Sequence, residues 1–258
     1  MALNSVFIIE SEGAGDLVDR RTEGEGLQRL LSLCNRKSTL RKVTTRQEFE
    51  REINIFAASG CNILHLSCHG NEAGIGFTDG STMTWAQLFA VLDGNISDKY
   101  LFLSSCAPMS NSRLIDLFGT SDRPPFLIAG STQSLTWRDA FVAWTLLYNA
   151  LSCKETPLAI RNALAAYHLV SDGDFRVQIW ALSDKKGEPP ICLGWSAADE
   201  YQAVVQSASL NDPQSSNSAA DGSATEIDEE SSEEGGHEND NVVVHRRRNP
   251  PAIANSEH

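Results

Sequence analysis

The chain has no CxxC pair, although it carries six cysteines in 258 residues. Cys34, Cys61, Cys68, Cys106, Cys153 and Cys192 are scattered, several of them inside apolar runs. Neither a zinc ribbon nor the disulfide framework of a small secreted scaffold is therefore expected. Mostly inert, buried thiols in a reducing compartment are the plain reading, and the expected location is cytoplasmic. No apolar run reaches the roughly eighteen residues of a membrane-spanning helix. The opening stretch MALNSVFIIESEGAG lacks a basic region and turns acidic at Glu10, so it reads as a first strand rather than a signal peptide. Neither GxxxxGK nor GxGxxG follows that strand, which excludes the usual nucleotide-binding loops. No cofactor is expected. Basic residues are scarce, with 21 Lys and Arg against 34 Asp and Glu and a net charge of −13. That balance argues against nucleic acid as a partner, and no membrane association is expected.

The acidity is uneven. Residues 207–258 hold eleven acidic side chains and three arginines, a net of −8 that leaves −5 for the rest. Ser, Asp, Glu, Gly and Asn dominate this stretch, which has too little apolar surface to offset the entropy of ordering. The expected organisation is one domain over residues 1–206 and a disordered acidic tail over 207–258, with VVVHRRRNPP near its end.

Within the first two hundred residues, strand and helix patterns alternate. SVFIIE (5–10), TLRKVTT (39–45), NILHLS (62–67), KYLFLSS (99–105), PFLIAGS (125–131) and FRVQIWAL (175–182) read as strands, with ICLGW beside the last. The alternation in 39–45 suits a sheet edge, while 62–67 and 99–105 are apolar enough to be covered on both faces. Helical spacing marks 27–34, 46–59, 112–119, 138–153 and 157–170. Asp79-Gly80 signals a hairpin turn, and Thr84 an N-cap for the helix after it. Strands separated by helices predict an α/β fold: a three-layer sandwich whose mostly parallel sheet has helices on both faces.

Two of the central strands end on reactive side chains. LHLSCHG (64–70) stops at His69, and LFLSSCAP (101–108) at Cys106. Functional groups of open α/β sheets gather at the carboxyl ends of strands, and only a hairpin and one helix separate these two in sequence. Adjacent strand ends would place imidazole and thiol in one crevice. A neutral thiol is a weak nucleophile that a neighbouring imidazole activates. Gly70, lacking Cβ, lets its backbone N–H approach a substrate carbonyl, so Gly70 and Cys106 N–H groups are the candidate oxyanion donors. The local logic is acyl transfer.

ILHLSCHG, then GIGFTDGSTMTWAQLFAVL, then YLFLSSCAP resembles the CHAT branch of the caspase-like cysteine peptidases, as does the later run from AGSTQSLTW through the closing VQIWALSDKKGEP. The resemblance spans roughly residues 5–195. It implies a caspase-type sheet, His69 as base and Cys106 as nucleophile, and a protein or peptide substrate. Two positions before the Cys, caspases carry Gln and metacaspases Asp to read the substrate's P1 side chain. Ser104 stands there, as in many CHAT proteins, while CAPMS replaces the commoner Cys-Glu-Ser/Thr-Gly. Asp139 follows FLIAGST, whose end belongs to the same sheet edge, and is the candidate for recognising a basic P1 residue. Its plain alternative is a helix-capping role.

Other residues carry simpler readings. Cys68 precedes His69 and so points to the opposite face, into the core. His65 shares parity with His69 but lies one strand length back and reads as a hydrogen-bonded core histidine. Cys68, His69 and Cys106 lack the close Cys pair of a zinc site, and no metal is expected. His168 reads as a surface residue near a helix end. The expected activity is cysteine-type peptide hydrolysis, with a possible regulatory partner protein. A catalytically silent interaction or signalling module is the competing class, and an acyl-transferring enzyme with the same dyad a third.

Overall fold

A computed structural model describes residues 5–19, 22–110, 113–153, 157–171, 173–181 and 191–210. The chain divides into two units, Met1–Pro213 and Gln214–His258, and the described residues all lie in the first. Apolar, β-branched stretches give β1 (Ser5–Ser11), followed by α1 (Ala14–Asp19), α2 (Glu23–Leu33), β2 (Lys37–Lys42), α3 (Arg46–Ala58) and β3 (Ile63–Cys68). A small meander follows, β4 (Gly70–Asn71), β5 (Gly74–Gly76) and β6 (Thr82–Thr84), then α4 (Trp85–Leu92), β7 (Tyr100–Ser104), α5 (Arg113–Gly119) and β8 (Leu127–Ser131). The last elements are α6 (Trp137–Cys153), α7 (Pro157–Val170), β9 (Phe175–Ala181), β10 (Ile191–Ser196) and α8 (Ala197–Leu210).

Seven strands form one sheet in the order β10-β9-β8-β7-β3-β1-β2. Strands β2, β1, β3, β7 and β8 run parallel, and β9 and β10 are antiparallel additions at one end. The expected α/β sandwich with a mostly parallel sheet is what forms. β2 lies at the edge, as its alternation predicts. The chain moves from β1 outward to β2, then returns past β1 to build β3, β7 and β8. That reversal makes a crevice at the carboxyl ends of β1 and β3.

Period-two alternation sorts the sheet residues into two cores. Phe7, Ile9, Leu64, Leu66, Leu101 and Leu103 face a layer holding Phe49, Ile53 and Phe56 of α3 and Leu88 and Leu92 of α4. Val6, Ile8, Ile63 and Phe102 face Leu27 and Leu31 of α2, Trp144 and Tyr148 of α6, and Leu164 of α7. Local signals hold at the element ends. Thr84 and Gln87 make a reciprocal capping box on α4. Gly80 takes φ +83° in the turn between β5 and β6, where the Asp79 carboxylate accepts from Ser81 N and Oγ. Helix α8 has no counterpart in the sequence reading and runs through Leu210, past residue 206. Of the 207–258 tail expected to be disordered, residues 207–210 are helical and 211–258 lie outside the described residues.

One buried acid contributes a pH dependence. Glu10, only 1% exposed at the end of β1, accepts from Gly24 N at 2.8 Å and Thr22 Oγ1 at 2.9 Å. Burial pushes its carboxyl above the usual range, against the pull of those two hydrogen bonds. A raised carboxyl means that the folded state holds the proton more tightly than the unfolded one. Its contribution to stability is full below the ordinary carboxylate range and is lost as pH rises through the folded value. Glu10→Gln is expected to flatten the pH dependence of unfolding free energy just above pH 4.5 relative to the parent chain. Parallel curves for the two proteins in urea titrations would refute this.

Candidate active site

His69 directly follows β3, and Cys106 lies two residues beyond β7. β3 and β7 are hydrogen-bonded neighbours, with Ser67 opposite Ser104. His69 and Cys106 line one cavity of about 120 Å³, with Ser105, Leu135, Thr136 and Trp137 in its wall. The Cys106 thiol is half-buried and points its S–H toward the Leu135 carbonyl at 3.9 Å, a long contact typical of a weak donor.

The two strand ends meet through Gly70. A Cβ there would lie 2.9 Å from Ser105 Cβ and 3.2 Å from the Cys106 carbonyl oxygen, so no larger residue fits unless one strand end moves. Gly76 N donates to His69 O at 2.9 Å, which makes that cross-strand pair the hydrogen-bonded type. The next pair, Gly70 with Ile75, is then of the other type, and Gly70 N–H points away from β5. Immediately after the thiol, Ala107 takes φ +56°, a conformation that costs a non-glycine residue about 1–3 kcal/mol. Hydrogen bonds from Ala107 N to Gln133 O and Met109 N to Ser131 O hold the turn in place. Two open grooves flank the cavity. One, of about 320 Å³, is lined by His69, Gly70, Ile75 and Met83; the other, of about 610 Å³, by Gly70, Asn71, Ala107 and Gln133.

His69 has partners that the sequence did not suggest. Its Nε2 is hydrogen-bonded to Asp16 Oδ2, and the other oxygen of Asp16 accepts from Trp137 Nε1 at 3.1 Å. The Trp137 ring meets the imidazole edge-on, with centroids 6.2 Å apart. The available signal was an acid just after β1, the strand beside the crevice.

Beneath the strand ends lies a buried polar layer. Glu23, the first residue of α2, accepts from Ser67 Oγ at 2.6 Å and Ser104 Oγ at 2.8 Å. Ser104 also accepts from Trp144 Nε1 at 2.8 Å. Ser104, the expected substrate reader, lines the same cavity, while its hydroxyl donates to Glu23 and accepts from Trp144. Strand parity puts Ser104 on the face of Phe102, toward α6. Asp139 takes the arrangement of its plain alternative, at the start of α6. Thr136 Oγ1 donates to Asp139 Oδ2 at 2.6 Å and accepts from Asp139 N at 3.1 Å, the reciprocal arrangement of a helix start. Hydrogen bonds from the Thr136 hydroxyl, then Ser171 and Arg138, hold the Asp139 carboxyl below its usual range, and the residue is not among those lining the cavity.

Cys68 and His65 lie where their sequence readings put them. Cys68 is buried in the core, and burial, with the charge of Glu23, pushes its thiol up to about 12. His65 is fully buried, its Nδ1 bonded to Tyr148 Oη at 3.1 Å and its ring edge-on to Trp144. His168 is half-buried in the last turn of α7, packed 5.1 Å from Tyr201 of α8 rather than free on the surface. Among the described residues no group of His, Cys, Asp and Glu could hold a metal ion, and no helix is long and apolar enough to cross a membrane.

No protein-family model matches the chain, and no curated protein matches it. Among solved structures, the Arg-specific cysteine proteinase gingipain R is similar at 15% identity and a TM-score of 0.44, covering 65% of this chain and 42% of that one. The complex of the pro- and mature domains of RgpB from Porphyromonas gingivalis is similar at 14% identity and a TM-score of 0.41, covering 64% and 42%. The chain thus spans less than half the length of these neighbours. Both likenesses are weak, and the functional reading rests on the site's own geometry.

Proposed function

We propose that this domain is a caspase-like cysteine peptidase of the CHAT type, acting on protein or peptide substrates without a cofactor. The observation that carries the reading is the convergence of His69 and Cys106, from neighbouring strand ends, on one cavity with Gly70 packed against the nucleophile's backbone. His69 takes the proton of the Cys106 thiol, and the thiolate attacks the scissile carbonyl carbon. Backbone N–H groups of Gly70 and Cys106 hold the oxyanion of the tetrahedral intermediate. Collapse breaks the C–N bond as His69 returns its proton to the leaving amine, leaving a thioester on Cys106. Water then adds to the thioester, losing its proton to His69, and the acid product departs as the thiol re-forms. The open grooves on either side suit an extended chain crossing the site. The contacts of Asp139 with Thr136 at the start of α6 support its capping alternative over the reading of a basic P1 residue.

Thiol labelling tests the reading. Iodoacetamide near neutral pH is expected to modify Cys106 well before buried Cys68, and His69→Ala to slow that reaction about tenfold or more. Labelling of Cys106 at the rate of an ordinary surface thiol, unaffected by His69→Ala, would return the domain to a silent interaction module.

A further inference from the structure

We infer that Asp16 and Trp137 form a clamp that sets the tautomer and orientation of His69, making Asp16 a positioning residue for the proposed acyl transfer. The inference rests on the peptidase reading but adds a component outside the Cys–His pair. The Asp16 side chain is only 9% exposed, whereas the His69 ring is 52% exposed. The carboxylate is thus the fixed member of the pair and the imidazole the member that needs holding. Both Asp16 oxygens are engaged, one by His69 Nε2 and the other by Trp137 Nε1. The indole N–H, anchored at the first residue of α6, prevents the carboxylate from turning away from the histidine.

The connection between β1 and α1 is shaped for this contact. A Cβ on Gly13 would lie 2.6 Å from His69 Nε2 and 3.1 Å from Asp16 Oδ2, so the chain passes close to the pair only because a glycine stands there. A carboxylate can only accept, so the neutral imidazole carries its proton on Nε2. Nδ1 is left as the basic nitrogen, the one that receives the Cys106 proton. Once the imidazolium forms, Asp16 also balances its charge. Among the described residues, the ionisable groups facing His69 include Asp16 from α1 and Cys106 beyond β7, with Cys68 and, through Ser67, Glu23 of α2 in the layer beneath.

The test uses the full chain with ¹⁵N-labelled histidine, so that ring nitrogen shifts report the His69 tautomer directly. In the parent protein the proton is expected on Nε2. Asp16→Ala is expected to relax that preference and to slow Cys106 alkylation roughly tenfold or more, since the base is no longer aimed. Asp16→Asn, which keeps the shape of the side chain, covers the case in which the Ala variant does not fold. Trp137→Phe keeps the ring but frees one carboxylate oxygen, and should give a smaller loss in the same direction. Against a cleavable peptide, Asp16→Asn should lower kcat by about 10²–10⁴-fold with KM little changed, and Asp16→Glu should restore part of it. An unchanged tautomer, or unchanged alkylation in a folded Asp16 variant, overturns the clamp. Because neither measurement needs peptide cleavage, they judge Asp16 even if the parent protein hydrolyses nothing.

Discussion

Cys106→Ala and His69→Ala are each expected to reduce peptide hydrolysis by roughly 10⁴–10⁶-fold, and the double variant to be no worse than either alone. Nucleophile and base act as one unit: without the imidazole the thiol stays protonated, and without the thiol there is nothing to activate. The fold should survive both changes. Cys106 is half-buried and His69 half-exposed at strand ends, so truncation opens little cavity, and a stability change of about 1 kcal/mol or less is expected. Cleavage of a peptide library by parent and variants, with melting curves for each, gives the answer. Full activity in either variant would exclude the assignment, and unfolding of both would show that the pair is structural.

The largest stability effect is expected at Trp144. Its side chain is fully buried, stacked on Phe102 and edge-on to both His65 and Phe175, and its Nε1 donates to Ser104. Trp144→Ala removes the centre of this cluster and is expected to cost about 3–5 kcal/mol. It also takes one hydrogen bond from the Ser104 hydroxyl that satisfies Glu23. Against a typical domain stability of about 5–15 kcal/mol, that leaves a marginal fold. Trp144→Phe keeps an aromatic ring but loses the N–H, and should cost about 1–3 kcal/mol. Urea denaturation of the three proteins measures both steps. A loss below about 1 kcal/mol for the Ala variant would mean that the core relaxes around the gap.

Much of the frame was legible in the residues because the deciding physics is local. Alternation of period two separated the buried strands from the edge strand, and it placed Cys68 inward and His69 outward from adjacent positions. The glycine turn at Gly80 and the cap at Thr84 depend on a few neighbouring residues, and both formed as read. The convergence of His69 and Cys106 was also readable, because a single crossover makes their strands neighbours. Tertiary structure alone decided what surrounds that pair. Asp16 reaches His69 across 53 residues of chain because the sheet order returns β3 to the side of β1, a choice that no local pattern encodes. Glu23 finds Ser67 and Ser104 for the same reason, since the start of α2 reaches the ends of β3 and β7. The hydrogen-bond partners of Ser104 and Asp139 were not legible from motif position, which does not give direction. The packing of α6 turned one toward Trp144, and a hydroxyl three residues away held the other at the helix start. Local sequence therefore determined which strands end on reactive side chains; long-range packing determined which carboxylate meets the histidine.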